Sequence, residues 1–167
     1  MNACRHEGRA EASPTKVIDD HHQRQLALAR YAILDTETEA EFDALVEAAA
    51  AACGVPLSLI NLIDGTRQWA KAIVGDGPKE LPLSSSICAL AIEQDDVLEI
   101  SDAAKDARVA DYPLVTGDSH LRFYAGVPLR TPTGIAIGTL CVADDKPGRL
   151  TDAQRLVLKT LAQQVVT

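Results

Sequence analysis

Any chemistry in this chain has to come from a small set of side chains. There are four cysteines, Cys4, Cys53, Cys88 and Cys141, and no C-x-x-C, so neither a zinc ribbon nor thioredoxin-like exchange is indicated. Cys88 is the reactive candidate. It follows Ser84-Ser85-Ser86, and a helix beginning at Ser85 or Ser86 puts it in the first turn, where unpaired N–H groups favour a thiolate. A thiolate there would attach a chromophore or sense oxidation. The flanking Ile87, Ala89 and Leu90 support the opposite expectation, a buried inert thiol, because apolar surroundings raise a thiol pKa. Cys53 and Cys141 fall within apolar patterns and are expected to pack as small hydrophobes. His6, His21, His22 and His120 form no H-E-x-x-H and no cysteine–histidine spacing, so no metal site is expected. The serines lack a G-x-S-x-G elbow and read as a helix cap. Gly75-Asp76-Gly77-Pro78 has neither flanking pattern of a phosphate cradle.

Composition narrows the partners. With 24 acidic against 16 basic residues the net charge is −8, a sign that repels nucleic acid and anionic lipid. The 167 residues fit one domain, large enough to bury about two-thirds of the unfolded surface. No apolar run approaches the roughly 20 residues of a membrane-spanning helix, and Met1–Lys16 lacks the apolar core of a signal peptide. A cytoplasmic protein without nucleic-acid or membrane partners is expected.

The elements that would position Cys88 follow from periodicity. Residues 1–18 read as a flexible lead-in, and residues 19–167 as a single domain. Asp19 and Asp20 are expected to cap a helix reaching about Leu34, with Leu26, Ala29 and Ile33 on one stripe. A second helix is expected from about Glu37 to Cys53, with Phe42, Leu45, Val46, Ala49 and Cys53 inward. Its capping box is either Thr36…Glu39 or Thr38…Glu41, and Gly54 with Pro56 ends it. Leu57–Asp64 reads as a strand buried on both faces, and Asp64-Gly65 turns it into a return strand, Arg67–Val74. Strict alternation there sets Trp69, Lys71 and Ile73 on one face and Ala70, Ala72 and Val74 on the other. A short helix at about Ser86–Gln94, a strand Val97–Ile100 and a long connection Ser101–Asp118 with one or two helical turns follow. A hairpin then pairs Leu121–Arg130 with the apolar central strand Ile135–Ala143. Thr151…Gln154 is a capping box for a last helix, whose stripe of Leu158, Leu161 and Val165 runs to the end without a stop signal. The chain is therefore expected to be cut from a longer protein. The sum is an α+β fold, a central antiparallel sheet of five or six strands with helices on its faces.

Several stretches resemble a known family. These are F-D-A-L-V-E-A-A-A-A-A-C-G-V-P-L-S-L-I-N-L-I-D, Q-W-A-K-A-I-V-G, S-I-C-A-L-A-I, D-A-A-K-D-A-R-V-A-D-Y-P-L-V-T-G, L-R-F-Y-A-G-V-P-L and G-T-L-C-V-A-D. In that order, from about Arg24 onward, they are similar to a GAF domain, a PAS-related sensory fold. The subgroup is the one found N-terminally in bacterial sensor histidine kinases and cyclic-di-GMP signalling enzymes. That subgroup often has aromatic-Cys-x-His where this chain has Ile87-Cys88-Ala89-Leu90. The N-K-F-D-E pattern of cyclic-nucleotide binders and the cysteine–histidine environment of bilin-binding phytochromes are also missing.

The resemblance implies a pocket between one sheet face and a lid made of Ser84–Ala91 and Ala107–Gly117. Trp69, Ser86, Cys88, Tyr112, Arg122 and Tyr124 are the implied ligand-binding groups, suited to an organic anion or small metabolite; no cofactor is specified. Trp69 has packing against a helix as its alternative, and Arg122 a salt bridge to Asp102, Asp106, Asp111 or Asp118. The implied function is a non-catalytic sensory module of a two-component or related bacterial signalling protein. It would bind a small ligand and relay through its terminal helices to an output domain of the same polypeptide, a histidine kinase or cyclic-di-GMP catalytic domain. A homodimer through the two terminal stripes is expected, unless both stripes cover their own sheet. Two alternatives stand beside this: a free methionine-R-sulfoxide reductase-type enzyme, which needs two thiols close in space, and a pocketless dimerisation spacer.

Overall fold

In the computed structural model, which describes residues 14–166, the two most apolar strands lie at the centre. These are β1 (Leu57–Ile63) and β6 (Ala136–Asp144), paired antiparallel. Their residues are buried on both faces, as continuous apolar runs require. Outward from β1 come β2 (Arg67–Val74) and β3 (Glu80–Pro82); outward from β6 come β5 (Phe123–Arg130) and β4 (Leu98–Ile100). The sheet therefore has six antiparallel strands in the order β3-β2-β1-β6-β5-β4. The edge strand β3 was not legible in the sequence. It is three residues long and carries a proline, which an edge tolerates.

Long helices cover one face and short ones the other. On the first face lie α1 (Pro14–Tyr31), α2 (Ala40–Cys53) and α5 (Asp152–Val165). Leu28, Val46, Ala49, Leu158 and Ala162 pack there on Ile60, Leu62, Trp69, Phe123, Leu140 and Val142. On the second face, α3 (Ile87–Ala91) and α4 (Pro113–Thr116), with 3₁₀ turns at Leu83–Ser85 and Ala103–Lys105, lie over Leu59, Ala70, Tyr124 and Cys141.

Local signals explain most boundaries. Gly54, at φ 64°, accepts the left-handed conformation that ends α2, and its N–H reaches back to Ala50 and Ala51. The Thr151/Gln154 capping box opens α5 as expected. The α2 boxes do not form: α2 starts at Ala40 after Glu39 with no side-chain cap. The Thr36 hydroxyl is drawn instead to the buried Lys71 ammonium, which donates to it at 2.6 Å, to the Glu37 carbonyl and to the Glu39 carboxylate. A buried charge gains more from these partners than a helix end gains from one cap. Helix α1 begins at Pro14, so Asp19 and Asp20 lie within it rather than at its cap, and it ends before Ile33. Its buried residue is Leu28, with Leu26 and Ala29 exposed. Residues 1–13, with Cys4, His6 and most of the expected lead-in, lie outside the described residues. In α5, Leu158, Leu161 and Val165 pack on their own sheet.

Two departures from plain strand geometry set the site. A bulge makes Lys71 an extra residue opposite Ile60–Asn61, so the face alternation of β2 inverts there. Gly138 in β6 lies so close to β1 that a Cβ would overlap the Asn61 carbonyl oxygen. Replacing Gly138 by alanine is expected to push the central strands apart and destabilise the fold by about 1–3 kcal/mol or more. A lower urea midpoint at unchanged slope would show this; an unaltered midpoint would mean that the strands yield freely.

Candidate functional site

Polar side chains within otherwise apolar strands converge beneath α3. Asn61 is in the middle of β1, and its amide Nδ2 donates to Cys88 Sγ at 3.3 Å and to Cys141 Sγ at 3.7 Å. Tyr124, on β5, brings its hydroxyl to 3.1 Å from Cys88 Sγ. The tyrosine ring can fold over the strand because residue 126 is glycine, where any Cβ would strike the ring and hydroxyl. The Thr139 hydroxyl is buried beside Cys88, Tyr124 and Cys141. Both thiols are only 2% exposed.

The two sulfurs are not equivalent. Burial pushes the Cys88 thiol up, but hydrogen bonds from Cys141, Thr139, Tyr124 and Asn61 more than offset it and lower the pKa to about 7. Cys141, which donates to Cys88 and is itself buried, is held well above the ordinary thiol value. Tyr124 is raised by burial and by the two cysteines, so it too keeps its proton. The cluster therefore favours ionisation at Cys88 while Cys141 and Tyr124 keep their protons. Cys88 is buried among apolar neighbours, and the donors buried alongside it favour its ionisation.

These groups line a small chamber of about 40 Å³, whose walls include Leu57, Leu59, Gln68, Ile87, Leu114 and Leu121. Asn61 Oδ1 is buried there without a partner. Leu57, Pro78, Leu114 and Leu121 also border an outer cleft of about 520 Å³, rimmed by Asp76, Asp118, Asp144 and Asp145. The chamber and the surface cleft thus share a wall, to which Leu114 of α4 contributes.

Of the six residues expected to bind ligand, Cys88 and Tyr124 come together. Trp69 does not join them. The bulge at Lys71 turns it to the opposite face, where it packs with the α2 layer and lies 4.3 Å beneath the Lys79 ammonium. Ser86 caps α3, accepting from the Ala89 N–H and donating to Gln68 Oε1. Tyr112 precedes α4 and packs at the edge of the second-face core. Arg122 makes none of the expected carboxylate bridges. It donates to the Val115 and Leu121 carbonyls and meets His120 Nδ1, tying α4 to the start of β5. Sequence reasoning missed Asn61, Gln68, Thr139 and the role of Cys141. The available signal was a polar residue inside each buried strand. No group of three or more metal-binding side chains occurs among the described residues.

The thiolate assignment predicts a pH dependence. A group whose folded pKa lies below its unfolded value of 9.0 contributes stability that is present above the unfolded value and lost as pH falls through about 7. Unfolding free energy, compared with that of Cys88→Ser, is therefore expected to rise between pH about 7 and about 9. Tyr124→Phe and Gly126→Ala remove or displace a donor, so the ultraviolet thiolate titration of each should move upward. A titration unchanged by both substitutions would exclude Tyr124 as the stabilising group.

Comparison with known proteins agrees with this architecture. Residues 37–167 match the GAF domain family. The chain is 36% identical over 149 residues to a cyclic di-GMP phosphodiesterase of Pseudomonas aeruginosa, covering 89% of this chain but only 25% of that protein. The GAF domain of a Coxiella burnetii phosphoenolpyruvate-protein phosphotransferase superposes with a TM-score of 0.65 at 14% identity, covering 93% of each chain. Free methionine-R-sulfoxide reductase from Neisseria meningitidis, solved with its substrate, gives 0.60 at 17% identity over 93% of this chain and 89% of that one. At such identities the solved structures speak for the fold alone. With a six-stranded antiparallel sheet, short helices over one face and a match across most of its length, this chain belongs to the GAF domain family, whose members are typical of sensor signalling proteins.

Proposed function

We propose that this chain is a non-catalytic sensory module that binds a small organic molecule in the cleft above β1, β5 and β6. The observation that carries the reading is the buried, unpartnered Asn61 Oδ1 in a chamber that shares a wall with a surface cleft. A buried acceptor without a partner costs stability, which a ligand N–H or O–H reaching the chamber recovers. The four carboxylates at the rim oppose an organic anion and favour a neutral or cationic molecule. Arg122, the cation that an anion would have used, is engaged with backbone carbonyls.

Relay would run through the terminal helices to an output domain of the same polypeptide, and the Pseudomonas relative makes cyclic-di-GMP turnover a candidate output. Leu156 and Val157 on α5, with Leu26 and Tyr31 on α1, are exposed apolar residues that a second copy would cover in a homodimer. No helix among the described residues is long and apolar enough to cross a membrane, and a cytoplasmic module is consistent with that.

One observation favours a second reading, a thiol-dependent reductase of free methionine-R-sulfoxide: Cys88 and Cys141 share the Asn61 amide. Thiol-dependent turnover of free methionine sulfoxide distinguishes the two; no turnover retires the enzyme.

Native mass spectrometry of the purified chain is expected to show a retained small molecule and a dimer. Ala143→Leu, which fills the chamber wall, should abolish the retained mass without unfolding the chain. An empty wild type that gains no thermal stability from a panel of neutral and cationic metabolites would overturn the ligand reading.

A further inference from the structure

We propose that Cys88 and Cys141 form a peroxide-reactive pair, in which a small hydroperoxide entering the chamber converts the two thiols to a disulfide joining α3 to β6. The inference rests on placement and is independent of any ligand in the outer cleft. Cys88 is the second residue of α3, and Cys141 is on the central strand beneath it. Their sulfurs both accept from one amide nitrogen, Asn61 Nδ2, at 3.3 and 3.7 Å. Both face the same chamber. Cys53, half-buried in α2, has no such company, and burial pushes its thiol up.

The chamber selects the oxidant by size. About 40 Å³ accommodates a molecule scarcely larger than water, whose share of liquid volume is about 30 Å³. Hydrogen peroxide or a short alkyl hydroperoxide enters; a bulky oxidant such as a glutathione disulfide does not. Leu57, Pro78, Leu114 and Leu121, shared with the outer cleft, are the side chains that must part to admit it.

The chemistry balances in two steps. The Cys88 thiolate attacks the distal peroxide oxygen; an S–O bond forms and the O–O bond breaks. The departing hydroxide or alkoxide takes up a proton and leaves as water or an alcohol. Cys141 sulfur then attacks the Cys88 sulfenic acid. An S–S bond forms, the S–O bond breaks, and hydroxyl leaves as water with the Cys141 proton. Two thiols are oxidised by two electrons, and one hydroperoxide is reduced. Closing the bond brings the two sulfurs, each within reach of Asn61 Nδ2, to roughly 2 Å of each other. The movement falls on α3, a helix of only five residues, because β6 is fixed between two strands. Disulfide formation also withdraws two acceptors from Asn61 and alters the chamber lining.

The test uses the whole chain and hydrogen peroxide at equimolar amounts. Intact-mass analysis should show the loss of two hydrogens, reversed by dithiothreitol. Peptide mapping should give a Cys88–Cys141 cross-link. In Cys141→Ser the reaction should stop at a Cys88 sulfenic acid, which dimedone traps when the treated chain is unfolded in its presence. Tyr124→Phe should slow oxidation at neutral pH by about three- to tenfold, since a rise of one unit in pKa from near neutrality lowers the thiolate fraction about fivefold. If Cys88 and Cys141 both stay alkylatable on unfolding after the wild type has been treated, the pair is inert and the proposal fails. It fails equally if the only cross-link involves Cys4 or Cys53. The wild-type map alone decides the matter should either variant fold poorly.

Discussion

The close approach of β1 and β6 at Asn61 and Gly138 is the constraint on which the remaining structure depends. With no side chain at Gly138, the two central backbones lie nearer than any other residue would permit there. The Asn61 side chain then projects from a fixed point of the most deeply buried strand pair. Cys88, Tyr124, Thr139 and Cys141 are arranged around it by elements that pack onto that pair: α3 above, β5 alongside, and β6 itself. A site built on central strands is held more rigidly than one built on loops.

A chain of small residues supports the cluster. Gly138 admits the β1 backbone, and Gly126 admits the Tyr124 ring, so the hydroxyl can reach the Cys88 sulfur. The polar groups then satisfy one another in a region with little water. Their electrostatic influence is large there because the surroundings screen it weakly. Four buried donors around one sulfur overcome the desolvation that would otherwise keep the thiol protonated. On the far face Lys71 shows the same economy: its ammonium, fully buried, is surrounded by Thr36, Glu37 and Glu39. That contact fastens the connection between α1 and α2 to the sheet.

The fold was largely legible because its signals are local. L-S-L-I-N-L-I and the Ile135–Ala143 run could only be central strands. Gly54 ended α2 where expected, and Thr151 with Gln154 capped α5. The site was half legible. Cys88 and Tyr124 were chosen by residue type and location, whereas Asn61 was passed over because the apolar run around it read as pure scaffold. Trp69 was misplaced by one residue's worth of alternation, which no propensity reveals. Arg122 reads from its type and place as a ligand-binding cation, or as a partner for nearby carboxylates, but the adjacent Leu121 carbonyl and the Val115 carbonyl of α4 engage it instead. Thr36 is drawn to Lys71, 35 positions away, rather than to the helix end beside it. Backbone carbonyls and a buried ammonium, neither marked by residue spacing, decide both cases.

The bulge at Lys71 has a consequence for relatives of this chain. It behaves like a frameshift within a single strand: residues before it and residues after it answer to opposite layers for the same parity of position. A relative lacking that one residue would keep the partners of Gln68 and Ala70 toward the chamber and that of Trp69 away from it, because the pairs Ile60–Ala72 and Asn61–Ala70 then become consecutive rungs. What it would lose is the buried ammonium that fastens the α1–α2 connection to the sheet. One residue inserted in β2 thus adds an anchor on the helix-covered layer while the wall of the cleft stays as it was.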